Sequence, residues 1–389
     1  MTGRFHSVFP AMKDTLRTLL AFLLLTLLAT AQGAPIPVPP TIAATGHLLM
    51  DFHSSEVLAE NNAEKRLEPA SLTKIMTAYV VFRELEEGKL ALGDQVLVSK
   101  KAWKTSGSRM FIEVGKRVSV DDLIHGMIIA SGNDACVALA EHIAGSEESF
   151  AALMNEHAIR LGMENTHFVN STGLPDPNHY TTPADILKVT QALIAEFPQY
   201  YTIYSQREFT YNGITQKNRN RLLWRDPSVD GVKTGHTQAA GYCLVASAKR
   251  EGMRLLSVVM GTKSEEARAQ ETQKLLNYGF RFYQTHRLFA AGESLRKVRV
   301  WKGDIKELQL GQEEDLHVTI PRGDYDKLKV RTRIQSGIVA PVKQGQPLGR
   351  LMVELDGEPL QEVPLVALRP VEEGGLFHNL LDSLLMIFE

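Results

Sequence analysis

The spacing of apolar residues changes character several times along the chain, and each change marks a region. Leu19-Leu20-Ala21-Phe22-Leu23-Leu24-Leu25-Thr26-Leu27-Leu28 is almost unbroken, with Lys13 and Arg17 ahead of it and Ala29-Thr30-Ala31 behind. A positive flank, a short apolar run and a small-x-small site form the pattern of a secretory leader over residues 1–31. The run is too short to span a bilayer comfortably, although an uncleaved anchor is the competing reading. Met12 is a second candidate start that would give a more usual leader. Pro35-Ile36-Pro37-Val38-Pro39-Pro40 follows as an extended spacer.

Gly46–Asp51 and Val57–Glu60 then read as a hairpin. From Pro69 or Ala70 the period becomes helical, with Leu72, Ile75, Met76, Tyr79 and Val80 on one stripe and Phe82 off it. Proline suits a first helical position, where its missing N–H is not needed. Further helices are expected at Val120–Ile129, Asp134–Ala144, Ser149–Leu161 and Pro183–Glu196, with Gly145 and Gly162 as stops. Gly241–Ala248 and Met253–Gly261 read as strands joined by a turn at Lys249-Arg250-Glu251-Gly252, and Glu265–Tyr283 as a helix. Strands, then helices, then strands predict an α+β layered domain over residues 32–286. From about residue 287 the period is two. Val298 and Val300, then Leu316, Val318 and Ile320, then Leu328 and Val330, then Leu348, Leu351 and Val353 mark short strands. Turn residues Pro321-Arg322-Gly323, Gln335-Ser336-Gly337 and Asp356-Gly357 separate them, which predicts a small β-sandwich or barrel over 287–370. In the last segment, residues 371–389, helical spacing returns. Leu376, Phe377, Leu380, Leu381, Leu384, Leu385 and Phe388 form one stripe of an amphipathic helix.

Composition removes several classes of function. A formal net charge of −2 gives no basic surface for nucleic acid. Cys136 and Cys243 fit neither a disulfide framework nor a zinc pattern, and no His-Glu-x-x-His occurs. The two thiols are expected to be buried and unpaired, even in an oxidising compartment. No metal or other cofactor is called for.

Three short motifs carry the chemistry. Ser71-Leu72-Thr73-Lys74, Ser131-Gly132-Asn133 and Lys233-Thr234-Gly235-His236 occur in this order, widely spaced. A lone Ser-x-x-Lys is common by chance; the ordered set is not. Ser-x-x-Lys, Ser-Asp-Asn and Lys-Thr-Gly are the working set of penicillin-binding proteins and class A β-lactamases. The longer stretches Pro69–Lys74, Ser131–Ala135, Asp230–Thr237 and Ala240–Tyr242 resemble the low-molecular-mass D-alanyl-D-alanine carboxypeptidases of the penicillin-binding protein 5 and 6 kind. The resemblance covers nearly the whole chain after the leader. It implies a transpeptidase-like domain, with an antiparallel sheet flanked by helices, followed by the β-domain. It also implies removal of the terminal D-Ala from peptidoglycan stem pentapeptides, covalent capture by β-lactams, and anchoring of the last helix on the outer face of the cytoplasmic membrane. The protein would then be exported and periplasmic. With no Lys or Arg beyond Arg369, that anchoring should be mainly hydrophobic. A class A β-lactamase would need a deacylating Glu in Glu-x-x-Leu-Asn, which is absent between Ser131 and Lys233. The same motifs would also suit a cross-link endopeptidase on this fold, or a wall-binding scaffold with a relict site.

Each motif residue has an expected role. Ser71 and Lys74 are three apart on a helix and share a face. A serine hydroxyl needs a base, and a lysine serves only when its pKa falls by ~2–3 units from about 10.4. Burial and a second cation, Lys233, would both lower it. Lys74 is therefore the expected base, with Ser131 as a candidate proton relay. Asn133 offers a donor and an acceptor to a substrate amide, with Asp134 free to cap the helix. Lys233 and Thr234 would bind a free peptide carboxylate, and Gly235 would let backbones approach closely. Arg219 is a weaker candidate for that carboxylate, a surface role being equally open to it. By resemblance, the backbone N–H groups of Ser71 and His236 would form an oxyanion hole.

Overall fold

A computed structural model describes Thr2 and residues 36–386; the rest of the expected leader, residues 32–35 and residues 387–389 lie outside the described residues. The chain divides into two compact units, Met1–Pro37 and Val38–Glu389. The second unit begins with β1 (Gly46–Asp51) and β2 (Val57–Asn61), paired antiparallel as expected. The helices α1 (Thr73–Glu86), α2 (Val120–Ile128), α3 (Asn133–Ala144), α4 (Glu147–Arg160) and α5 (Pro183–Glu196) follow. Then come β3 (Val229–Thr237), β4 (Gly241–Arg250), β5 (Met253–Thr262) and α6 (Glu265–Phe282).

The five strands form one antiparallel sheet in the order β2-β1-β5-β4-β3. All of β1 is buried, because helices cover both faces of the sheet centre. The edge strand β3 carries the Lys-Thr-Gly motif, with Lys233 opposite Val245 and Gly235 opposite Cys243.

Several expected boundaries shift for local reasons. Pro69 precedes a 3₁₀ turn at Ala70–Leu72, and α1 starts only at Thr73. Helix α1 is buried continuously from Thr73 to Phe82 and again at Leu85. The single stripe therefore understated it: Phe82 is as buried as the stripe, since α1 runs through the middle of the helical region. The expected cap at Asp134 is absent. Gly132 takes the N-cap position, and the Asp134 carboxylate instead accepts from the backbone N–H groups of Met110, Phe111 and Ile112 at 2.9, 2.9 and 3.3 Å. Helix α4 starts before Ser149, because Ser146 caps it and Glu147 and Glu148 occupy its first turn. The β4–β5 turn tightens to Glu251 and Gly252, both at positive φ, so Lys249 and Arg250 stay in the ladder.

Beyond α6, β6 (Tyr283–Phe289) pairs with a later strand, Leu316–Pro321. Counting in chain order, β7 is Arg296–Arg299, β8 is Glu307–Gly311 and β9 is that later strand. The rest are β10 (Leu328–Ile334), β11 (Pro347–Leu355) and β12 (Glu358–Ala367). The second sheet runs β7-β8-β12-β11-β10. Leu316, Val318 and Ile320 of the two-stranded sheet pack against Leu351 and Val353 of the larger one, the two-layer arrangement that the period-two pattern predicts. Val371 belongs to the neighbouring core of Val300, Leu308, Val342 and Leu365, and pairs with Val342. The terminal helix α7 spans Leu376–Leu385.

Candidate active site

Ser71, the candidate nucleophile, sits at a backbone junction. Ala70, just before it, has φ +47°, and Ser131 in the second motif has φ +60°. Non-glycine residues avoid this region unless the surroundings enforce it, and such strain concentrates at working sites. The 3₁₀ turn places Ser71 immediately ahead of α1, so that Lys74, in the first turn of the helix, reaches back beneath it. Lys74 Nζ lies 3.0 Å from Ser71 Oγ.

Lys74 has two further partners, Asn133 Oδ1 at 2.7 Å and the Thr172 carbonyl at 2.6 Å. Both are obligate acceptors. Asn133 cannot flip, because its Nδ2 donates to the Ser106 carbonyl at 2.6 Å. A neutral amine has two N–H bonds and one lone pair. With both N–H bonds directed to Asn133 and Thr172, the lone pair faces the Ser71 hydroxyl. This is the geometry of a general base.

The neutral form is favoured by the surroundings. Burial lowers the Lys74 pKa, and the Arg219 guanidinium lowers it further, while the carboxylates of Asp134 and Glu147 oppose. Lys233 is pushed well down by burial, and then by the charge on Lys74 and by Arg219. Two ammonium groups are thus disfavoured together in this floor. Sequence points to Lys233 as the cation acting on Lys74; the structure adds Arg219, which acts on both lysines.

Lys233 is only 3% exposed and lies below the cleft. Its Nζ donates to Ser131 Oγ at 3.0 Å and to the Thr234 carbonyl at 2.9 Å. The Lys233 ammonium is therefore held between the Ser131 hydroxyl and the Thr234 carbonyl at the edge of the cleft. The groups that do face the cleft, of about 420 Å³, include Ser71, Ser131, Asn133, Arg219, Thr234 and His236. Arg219, ranked lower on sequence, is among them. Gly235 also lines the cleft, and a Cβ there would lie 3.3 Å from Ser71 N. Strand β3 therefore runs directly beside the nucleophile's backbone N–H, as the glycine predicts. The His236 ring is exposed and stacks on Tyr242, centroids 3.9 Å apart, which leaves its backbone as the part nearest the chemistry.

Sequence reasoning missed the segment that completes the floor. Asn170 Oδ1 accepts from Thr172 N, Thr172 Oγ1 and Gly173 N at 3.1, 3.0 and 2.8 Å. Gly173, at φ +83°, would place a Cβ 1.8 Å from the Ala70 carbonyl, so no side chain fits there. His179 is buried behind this segment. Its Nδ1 accepts from Val169 N at 3.2 Å, so Nε2 carries the proton and donates to Thr73 Oγ1 at 2.8 Å. Burial lowers its pKa to about 4. The run Asn170-Ser171-Thr172-Gly173 is dense in turn residues, which was the available signal. Arg268, also unforeseen, is buried beside the cleft and reaches the Gly235 carbonyl at 3.3 Å. Both thiols are buried and unpaired.

A serine bonded to a buried lysine, a second serine–lysine pair and a strand edge beside them form an arrangement suited to serine acyl transfer. The comparisons with known proteins agree. Residues 33–264 match the D-alanyl-D-alanine carboxypeptidase family, and residues 283–373 match the C-terminal domain of penicillin-binding protein 5. The chain is 46% identical to the D-alanyl-D-alanine carboxypeptidase DacC of Escherichia coli, over 90% of this chain and 89% of that protein. Penicillin-binding protein 5 of Haemophilus influenzae superposes with a TM-score of 0.83 at 41% identity, covering 87% of this chain and all (100%) of that one. Penicillin-binding protein D2 of Listeria monocytogenes, solved in an ampicillin-bound form, has a TM-score of 0.58 at 30% identity, over 63% of this chain and 100% of that one. The chain belongs to the D-alanyl-D-alanine carboxypeptidase family and is a serine-type peptidase of that kind.

Proposed function

We propose that the protein removes the terminal D-alanine from peptidoglycan stem pentapeptides through an acyl-enzyme on Ser71. The observation that carries this reading is the 3.0 Å contact between Ser71 Oγ and a Lys74 amine whose other two partners are both acceptors. Ser71 Oγ attacks the carbonyl carbon of the D-Ala–D-Ala amide, and its proton passes to Lys74 Nζ. Asn133 Oδ1 and the Thr172 carbonyl then hold the new ammonium. The backbone N–H groups of Ser71 and His236 receive the oxyanion, a contribution worth about 10²–10³ in rate. As the C–N bond breaks, the leaving amine takes the proton held by Lys74, relayed through Ser131, which Lys233 holds in place, and Lys74 returns to its neutral form. Water then hydrolyses the Ser71 ester. A β-lactam follows the same first step, but its leaving amine stays tethered, so the ester persists. Thr234 and Arg219, both facing the cleft, bind the free carboxylate. Mass mapping after penicillin treatment tests this: the adduct is expected on the peptide containing Ser71, and an adduct elsewhere, or none in folded protein, refutes it.

We divide the chain into a catalytic domain to residue 286, a β-domain over 287–370 and a terminal anchor; in support, one family match ends at residue 264 and the other runs from 283 to 373. The leader directs export to the periplasm, and α7 rests on the outer face of the cytoplasmic membrane. No helix among the described residues is long and apolar enough to cross a membrane. In support of surface binding, Leu376, Leu380, Leu381, Leu384 and Leu385 of α7 are all exposed. The helix meets the β-domain through Asp382, which is buried and accepts from the Lys302 backbone N–H at 2.6 Å. Its polar side is thus turned inward and its leucines outward, the orientation an interfacial helix needs.

A further inference from the structure

Glu147 opens α4 behind the catalytic floor. It is buried, yet it does not line the cleft. Its Oε1 accepts from the Ser171 backbone N–H at 3.1 Å and from the Ser171 hydroxyl at 2.8 Å. Its Oε2 lies 3.1 Å from Lys101 Nζ. The Ser171 carbonyl in turn accepts from Thr77 Oγ1, on α1, at 2.7 Å. Both backbone polar groups of Ser171 are therefore held, one from α4 and one from the nucleophile's own helix. The next carbonyl along the chain is that of Thr172, which receives Lys74.

We propose that Glu147 is a positioning residue for the acyl-transfer reaction: through Ser171 it sets where the Thr172 carbonyl meets Lys74. Its charge is a second influence on the same amine, in the direction that favours the ammonium. The proposal rests on the reading of Lys74 as the base. A carboxylate at the start of a helix has a sufficient structural reason to exist in the helix dipole. That reason, however, does not account for its two bonds to the residue preceding Thr172. The charge acts in company. Asp134 of α3 also favours the Lys74 ammonium, whereas Arg219 and the Lys233 of β3 disfavour it; His179, neutral in the segment behind, and the Cys136 thiol of α3, un-ionised in this range, add no charge. Lys101 keeps a second carboxylate, Glu148, at 3.0 Å, so neutralising Glu147 does not strand it.

The two effects separate by substitution. Glu147→Gln keeps an oxygen that accepts from Ser171 but removes the charge. Lys74 then loses its proton more easily, and the acid limb of the acylation profile moves to lower pH by roughly 0.5 unit, the size expected of a carboxylate not in contact with the amine. Glu147→Ala removes the acceptor as well. The Thr172 carbonyl is released, and kcat falls about 10-fold or more with KM little changed, since misplacement of a catalytic group acts on the chemical step. Glu147→Gln restores most of that kcat. The experiment measures acylation by a fluorescent penicillin from pH 5 to 9, alongside carboxypeptidase kcat and KM and thermal melting. Lys74→Ala serves as the reference. A Glu147→Gln limb at the wild-type position overturns the proposal, as does wild-type kcat in folded Glu147→Ala. If the alanine variant fails to fold, the Glu147→Gln profile alone decides. If Lys74→Ala acylates at the wild-type rate, the reading of Lys74 itself has failed, a result distinct from an unmoved limb over an inactive Lys74→Ala.

Discussion

Acid should loosen the base of the active site through His179, and the size of the effect follows from its environment. The ring is buried with Nδ1 accepting from Val169 N and Nε2 donating to Thr73, one residue before Lys74. A proton on Nδ1 would break the Val169 bond and place a charge where burial disfavours it. The folded-state pKa is accordingly lowered from 6.5 to about 4. Between these values the unfolded chain binds a proton that the native state refuses, so stability falls as pH falls. The contribution is fully present above pH 6.5 and is lost progressively down to pH 4. At 1.36 kcal/mol per unit of pKa, the loss is about 3 kcal/mol. Denaturant unfolding of wild type and His179→Gln at a series of pH values measures it. The glutamine variant should be less stable near neutral pH, because its side chain cannot reproduce both bonds. The gap should then narrow by about 3 kcal/mol between pH 6.5 and 4, since only the wild type loses the histidine contribution. A gap that stays constant over this range, or a native His179 titrating near pH 6.5, refutes the reasoning.

Three further outcomes are expected. Arg219→Ala should raise KM for peptides ending in a free carboxylate by about 10-fold, as for loss of one charged hydrogen bond, and should spare peptides ending in an amide; equal effects on both, measured by steady-state kinetics, would remove Arg219 from carboxylate binding. Burial raises the Cys136 thiol to about 12 and the Cys243 thiol to about 11, so iodoacetamide should label neither in native protein at pH 8 and both after denaturation without reductant; a bridge, or fast native labelling of either, contradicts the burial argument. Deletion of residues 375–389, which leaves the core residue Val371 in place, should move active enzyme from membranes to the soluble fraction. Salt at 1 M should leave the intact chain bound, roughly as expected for hydrophobic rather than ionic attachment, and release by salt alone would place the anchor elsewhere.

The periodic parts of the structure were legible in the chain because they depend on local repetition. Leu316, Val318 and Ile320 alternate because one face of their strand meets Leu351 and Val353. Pro183 after Thr182 marks a helix start because a missing N–H costs nothing there and the threonine oxygen accepts from Asp185 N. The three motifs also declared the chemistry, since a nucleophile, a base and a close-packed strand demand particular residue types whatever surrounds them. What the chain could not declare was which groups meet across long sequence separations. Asp134 reads as a helix cap, yet it holds a loop more than twenty residues earlier. Lys233 reads as a carboxylate-binding cation, and only the fold shows that it is buried with its ammonium on Ser131, while Arg219 faces the cleft. The acceptor that aims the Lys74 lone pair is a backbone carbonyl, at Thr172, and a carbonyl has no letter in the sequence. Sequence by itself determined the main helices and strands, the fold class and the family, because these follow from periodicity and from side-chain chemistry at fixed motifs. The tertiary structure alone decided burial, direction and charge state, because these depend on neighbours that the fold brings together from distant parts of the chain.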